Sequence, residues 1–299
     1  MIIATNITKK FENIVAVDDI SATIRDGQVF GLIGTNGAGK STFLRMVSGV
    51  IKPDIGTITI DEMSVFESEH AKSLFFYISD DQFFFSNAGP VDMKNYYKSI
   101  YPLFDEVKFI ALMNRFNLPT ERKIRTYSKG MKKQLSVILG IASNTKYILC
   151  DETFDGLDPV MRQGIKSIFA SEIDERGLTP IIASHNLREI EDICDHIGLL
   201  HKGGMLVSND LDSLKLGIYK LQCIFKGVIS DDFFENLHIV TKYVRGSLYT
   251  LTIRGNIEQI EQQIKVLNPI FYEILPLTLE EIFITETEAK GYDIKNIIG

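Results

Sequence analysis

Short runs of β-branched and aromatic residues recur through the first two thirds of the chain. Ile2–Ile7, Val29–Ile33, Thr57–Ile60, Tyr147–Cys150, Thr179–Ala183 and Ile197–Leu200 each read as a strand. Helical patterns lie between several of them, and this alternation predicts an α/β sheet with substantial parallel pairing. The alternation stops between the strand that ends near Tyr77 and the strand at Tyr147. There Asp92–Tyr101, Asp105–Phe116 and Lys129–Ser143 carry helical patterns in succession, which predicts a helical insert at about residues 79–143.

Around Asp210–Gly217 the pattern changes again. Strand Tyr219–Phe225, helix Asp231–Asn236, strands His238–Val244 and Leu248–Arg254, helix Ile257–Leu267 and strand Phe271–Leu275 follow in order. The order β-α-β-β-α-β fits a small ferredoxin-like α+β domain. The expected domains are therefore 1–212 and 213–299.

With 299 residues the chain has room for one large domain and one small one. Apolar residues make up 45% and charged residues 24%, a globular rather than a disordered balance. The net charge of −7 argues against nucleic acid as the main partner. The opening MIIATNITKKF lacks the pattern of a signal peptide, and apolar stretches such as Ile181–Ala183 and Ile197–Leu200 are too short to span a bilayer. Cys150, Cys194 and Cys223 are scattered without C-x-x-C spacing, so they read as buried thiols rather than a disulfide framework or zinc site.

The chemistry concentrates in a few segments. Gly34-Thr35-Asn36-Gly37-Ala38-Gly39-Lys40-Ser41-Thr42 satisfies G-x-x-x-x-G-K-[ST] between a strand and a helix, the context of a phosphate-binding P-loop. The glycines let backbone N–H groups face inward, and those donors with the helix N-terminus attract phosphate oxygens. Lys40 adds a charge for the β- and γ-phosphates, and the Ser41 hydroxyl can ligate Mg²⁺. The run Tyr147-Ile-Leu-Cys-Asp-Glu152 places two acids at the C-terminal end of a buried strand, where α/β sites lie. Asp151 suits Mg²⁺ and Glu152 suits a general base acting on water.

A third segment, Tyr127-Ser-Lys-Gly-Met-Lys-Lys-Gln134, stands before a helix; Asp155-Gly-Leu-Asp-Pro159 follows Glu152, and His185 follows an Ile-Ile-Ala-Ser strand end. In this combined series, over about residues 1–212, the chain resembles the ATP-binding subunits of ABC transporters. The resemblance implies a P-loop NTPase core with an N-terminal antiparallel β part and the helical insert. It implies that Gly34–Thr42 form the Walker A loop, that Asp151 and Glu152 are the Walker B aspartate and catalytic glutamate, and that Ser128 and Gly130 hold two positions of the LSGGQ signature. Asp158 matches the D-loop aspartate, His185 the switch histidine at the γ-phosphate, and Phe11 the aromatic that stacks on adenine.

Three departures stand out. Lys129 and Met131 replace a glycine and a glutamine of the signature, and Thr153 stands where proline usually follows the glutamate. In the Q-loop, Tyr77-Ile-Ser-Asp-Asp-Gln82 puts Asp80 at the glutamine position by strict alignment, while a slip of two residues puts Gln82 there. Either side chain can reach Mg²⁺ or the attacking water through oxygen.

Aromatic residues crowd Phe75–Tyr101, as core packing of the insert or as a groove for a partner. The resemblance implies that a cytoplasmic helix of a membrane subunit docks there. The tail Pro276-Leu-Thr-Leu-Glu-Glu-Ile-Phe283 resembles the S/T-L-E-x-x-F end of ABC-2-type export subunits, including bacitracin- and lantibiotic-resistance ATPases. It also fits a plain amphipathic helix. The expected protein is thus an ATPase that uses ATP and Mg²⁺, dimerises with itself or a related ATPase subunit, and drives an integral-membrane permease from the cytoplasmic face of the membrane, for export. The alternatives are a soluble ABC ATPase without transport, or a weakly active regulatory partner of a second ATPase.

Overall fold

In the computed structural model, which describes residues 1–215, 217–226, 234–235 and 237–289, the chain opens as an antiparallel pair. β1 (Ile2–Phe11) pairs with β2 (Ile14–Ile24). β3 (Phe30–Gly34) enters a second sheet and leads into α1 (Lys40–Val47). β4 (Ile55–Ile60) returns to β1, and β5 (Met63–Ser64) completes the antiparallel sheet in the order β2-β1-β4-β5. The short α2 (Glu69–Ser73) leads to β6 (Phe75–Ile78). Then come the three helices of the insert: α3 (Pro90–Ile100), α4 (Glu106–Arg115) and α5 (Lys129–Ala142). Next are β7 (Tyr147–Asp151), α6 (Pro159–Arg176), β8 (Thr179–Ser184), α7 (Leu187–Glu191), β9 (His196–His201) and β10 (Gly204–Asp210).

The second sheet runs β10-β9-β3-β8-β7-β6, and β9, β3, β8, β7 and β6 pair in parallel. Every residue of β3, β7 and β8 is buried, as expected of strands covered on both faces. Phe43, Leu44, Met46 and Val47 of α1 join one core with residues of both sheets, each buried side chain contributing about 1.5–3 kcal/mol. This packing holds the start of α1 beside the C-terminal ends of β3 and β7.

β2 does not stand out in the sequence, because Asp18 and Asp19 interrupt its apolar positions. In the fold both acids are exposed, while Val17, Ile20, Ala22 and Ile24 enter the core. The interruption falls where the β1–β2 register shifts, and Asp19 there takes a φ of 48°.

The chain divides into two compact units, Met1–Ser208 and Asn209–Gly299. The second contains α8 (Leu211–Lys215), β11 (Ile218–Ile224), β12 (His238–Arg245), β13 (Leu248–Arg254), α9 (Ile257–Val266), β14 (Phe271–Pro276) and α10 (Leu279–Ala289). Its sheet runs β12-β13-β11-β14 with all neighbours antiparallel, the strand order of a ferredoxin-like split βαβ unit. The helix expected at Asp231–Asn236 lies outside the described residues apart from Phe234 and Glu235. Ile260 and Ile264 of α9 pack with Leu221, Cys223, Leu251 and Ile253 on one face of this sheet.

The T-L-E-E of the tail has a local physical meaning. The Thr278 hydroxyl accepts from Glu281 N at 3.3 Å, and the Glu281 carboxylate accepts from Thr278 N at 2.9 Å. That reciprocal pair is a capping box, and it starts α10. Glu281 also takes Lys220 Nζ at 2.6 Å, tying the helix start to β11.

Candidate active site

The loop between β3 and α1 is shaped by close approaches. A Cβ on Gly34 would lie 2.6 Å from Leu200 O, and one on Gly39 2.3 Å from Ala16 O. Gly39 also has a φ of 104°, which a side chain would strain. Asn36 and Gly37 form the exposed tip, and Ala38 is buried. Lys40 is 5% exposed, and its ammonium donates to Gly34 O at 2.8 Å and Thr35 O at 3.3 Å. Burying an ammonium is costly unless its donors are used, and here they close the loop from beneath.

Across from this loop stand the two acids at the end of β7. Asp151 accepts from Ser41 Oγ at 3.0 Å and from Tyr77 OH at 2.9 Å. Burial raises the Asp151 carboxyl above its ordinary range; the Glu152 charge adds to the rise, while the Tyr77 and Ser41 hydrogen bonds oppose it. Burial and the facing Asp151 push the Tyr77 phenol far above its ordinary value, so it stays a neutral donor. Glu152 itself turns the chain with a φ of 48° and donates its N–H to Ala183 O at 3.0 Å. Its Oε1 lies 3.2 Å from Lys40 Nζ and its Oε2 lies 2.9 Å from His185 Nδ1. The fold thus gathers Lys40, Ser41, Asp151, Glu152 and His185 from three separate segments. The result is a carboxylate held between a cation and an imidazole at the mouth of an anion-binding loop, an arrangement able to take a proton from water.

The other expected site residues make their contacts outside this group. Ser128 is the N-cap of α5, its Oγ accepting from Met131 N at 3.2 Å, and Gly130 lies in the first turn. Asp158 is the N-cap of α6, accepting from Met161 N at 2.9 Å, with Pro159 pre-set for the first helical position. Asp80 Oδ1 lies 3.4 Å from Lys133 Nζ. Gln82 folds onto its own loop, its amide donating to Ser79 O at 3.1 Å and Asp80 O at 2.6 Å. These partners of Asp80 and Gln82 lie on α5 and on the loop itself, not on the Ser41–Asp151 pair. Phe11 ends β1 with its ring 43% exposed and Lys9 Nζ 5.6 Å from the ring centroid.

Two residues of this region escape motif reading. Glu189 is 3% exposed and accepts from Ser184 Oγ at 3.2 Å and Asn186 Nδ2 at 3.1 Å, while Arg162 of α6 pairs with it at 2.9 Å. Glu189 therefore fixes the residues on both sides of His185. Its signal was the N-x-x-E spacing from Asn186, which holds the N-cap position of α7. Lys133, on the buried stripe of α5 with Val137 and Gly140, is fully buried and reaches both Asp80 and the segment after β7. A lysine at an apolar helical position was its signal.

A family model described as ABC transporter matches residues 17–155. The chain is 33% identical over 291 residues to the ABC transporter ATP-binding protein YtrB of Bacillus subtilis, covering 97% of this chain and 99% of that protein. It is 29% identical over 218 residues to the bacitracin transport ATP-binding protein BcrA of Bacillus licheniformis, covering 71% and 70%. It is 28% identical over 241 residues to the methionine import ATP-binding protein MetN of Carboxydothermus hydrogenoformans, covering 76% and 65%. A solved structure described as the ATP binding subunit of an ABC transporter matches with a TM-score of 0.66 at 22% identity, over 72% of this chain and 92% of that one. A dimeric ATP-binding cassette bound to ADP and Pi matches with a TM-score of 0.63 at 18% identity, over 71% and 99%. At these identities the two structures bear on the fold.

Proposed function

The chain belongs to the ABC transporter family of ATP-binding subunits, which are ATPases, and we propose that it is the subunit that closes as a dimer around two ATP molecules and so drives a separate integral-membrane permease. The observation that carries this reading is the Glu152 carboxylate, held by Lys40 on one oxygen and His185 on the other at the end of the P-loop cleft. The N–H groups of Thr35–Thr42 would cradle the phosphates, and the Phe11 ring would stack on adenine. Lys40 would hold charge on the β- and γ-phosphates. Glu152 would take the proton of the attacking water as its oxygen bonds in line to the γ-phosphorus and the bond to the β–γ bridging oxygen breaks, releasing ADP and phosphate, and His185 would orient the same carboxylate from its other side.

The donor set also fits Mg²⁺, which takes hard oxygen ligands and is held by one or two protein groups besides substrate phosphates. The Ser41 hydroxyl and Asp151 carboxylate form such a pair, and among the described residues no cluster of three or more His, Cys, Asp or Glu offers an all-protein cage. Asp80 or Gln82 would reach the ion or the water from the loop after β6. Bound there, the ion would spread the developing phosphate charge.

In the dimer, Ser128 and Gly130 of one protomer would grip the γ-phosphate held by the other, through the N–H groups that open α5. Lys129 is exposed beside Ser128 and adds positive charge there. Among the described residues no helix is long and apolar enough to cross a membrane, so the membrane path would belong to the permease, with this chain on its cytoplasmic face. Phe83, Phe85 and Tyr96 form an edge-to-face aromatic group that is partly exposed, which suits a docking surface for that partner. Export is the direction we favour, on the T-L-E-x-x-F tail and the likeness to the bacitracin transport protein; the methionine import protein is a relative of the other direction. Lys129 and Met131 in the signature keep a second reading in view, that of a slow ATPase paired with a more active relative.

The dimer is tested by sedimentation. The Glu152→Gln protein, alone or with its cognate ATPase partner, should associate in pairs when ATP and Mg²⁺ are added. The further substitution Ser128→Arg should abolish the pairing while each protomer still binds ATP. Pairing that ignores Ser128→Arg would overturn the composite site.

A further inference from the structure

Lys133 touches three of the candidate motifs at once. Its ammonium, with no exposed surface, donates to Glu152 O at 2.5 Å and to Asp155 O at 2.8 Å, and lies 3.4 Å from Asp80 Oδ1. A lysine ammonium has three protons, and these three acceptors use them all. An unpaired charge at such a position costs several kcal/mol, so the site is stable only while the three acceptors stay in place. The acceptors are not equivalent. The first is the carbonyl of Glu152, a non-glycine residue held at a φ of 48°, in the left-handed region that side chains disfavour. The second belongs to the turn that leads to Asp158 and α6. The third is a carboxylate on the loop after β6 that is more than half exposed.

α5, which carries Lys133, begins at Ser128. We infer that Lys133 is a positioning residue that acts through Glu152: it clamps the strained backbone of the proposed base and ties it to Asp80, so that the signature helix, the loop after β6 and the segment after β7 move as one piece. Lys40 and His185 set where the two oxygens of the Glu152 side chain point, but neither restrains its carbonyl. Lys133 supplies that restraint from the opposite side, from within the core. Because Asp80 is an acid and not an amide, its partner in the core is a full charge, and the link between them is charge-assisted. The strands alone do not make this link: β6 and β7 are neighbours in the sheet, but Asp80 and Asp155 both lie past their ends.

The inference rests on the ATPase reading of the site, and its test separates the two. Steady-state phosphate release is measured for the wild type, Lys133→Gln, Lys133→Arg and Asp80→Asn, with ATP binding followed by a fluorescent nucleotide. Glutamine is neutral and can keep some of the donor contacts, and Asp80 is a surface residue whose replacement leaves Lys133 in the core, so at least one variant reports on a folded protein. Lys133→Gln should lower kcat at least about tenfold while KM for ATP stays within about threefold, since a misplaced base weakens the transition state but not ground-state binding. Asp80→Asn should lower kcat by a smaller factor, the double variant should lose no more than Lys133→Gln alone, and Lys133→Arg should recover part of the loss. Unchanged kcat in both Lys133→Gln and Asp80→Asn would overturn the inference, as would KM rising in step with the fall in kcat. A wild type that binds ATP without releasing phosphate would instead overturn the assignment of Glu152 as base.

Discussion

Replacing Glu152 by Gln is expected to slow ATP turnover by about 10²- to 10⁴-fold, the range general-base catalysis supplies, while ATP affinity is nearly unchanged. The side chains are of one size, so the amide can keep its place between Lys40 and His185. What it cannot do is accept the water proton. The loss should therefore fall on kcat, with KM moving little. Phosphate release and nucleotide binding measured on the same preparation check this. Wild-type turnover within threefold of the variant would mean that another group takes the proton, or that this chain is the slow member of a mixed pair.

Replacing Lys40 by Ala should instead remove binding. Two effects act together. The phosphates lose a charge-assisted partner, worth about 1.5–3 kcal/mol, or roughly 10- to 100-fold in affinity. The loop also loses its closure, because the ammonium that joins Gly34 O, Thr35 O and Glu152 is gone. The glutamate is then left beside Asp151 without its nearest cation, and the two like charges repel. The expected result is ATP affinity lower by about a hundredfold, with Tm changed far less because the core under α1 is intact. Calorimetric titration with ATP and a thermal melt separate the two. Affinity within threefold of wild type would remove Lys40 from the phosphate site. Together the two variants divide the site: one keeps ATP and loses chemistry, the other loses ATP.

Much of the first unit's fold was legible because its strands are short apolar runs and its helices carry strong caps. Asp105, Ser128 and Asp158 each stand one residue before a helix, and each side chain accepts from the N–H three residues on. β2 escaped because two acids occupy its outward positions. The residues gathered at the site were likewise legible as motifs, since a P-loop needs glycines where Cβ atoms would strike Leu200 O and Ala16 O. Lys133, Glu189 and Tyr77 were not. Lys133 and Tyr77 meet partners far away in sequence, and a lone lysine or tyrosine carries no spacing that says which carboxylate or carbonyl it will meet; Glu189 bonds to nearby Ser184 and Asn186, but its pairing with Arg162 of α6 has no such signal. The Q-loop was ambiguous for a related reason: Asp80 and Gln82 differ by two positions on an irregular loop, where a tertiary contact places Asp80 on Lys133 and local bonds fold Gln82 back on its own loop.

The central claim is that ATP chemistry in this chain drives a membrane partner. The measurement that tests it most directly is capture of the tagged Glu152→Gln chain with ATP and Mg²⁺ from its native cells in mild detergent, beside the same chain carrying Phe85→Ala. Phe85 is partly exposed and packs edge-to-face on Phe83 and Tyr96. The first chain should recover a multi-spanning membrane protein, and the second should lose it while ATP binding is retained. Recovery of the chain alone, or of ribosomes or DNA-repair factors in place of a membrane protein, would contradict the claim.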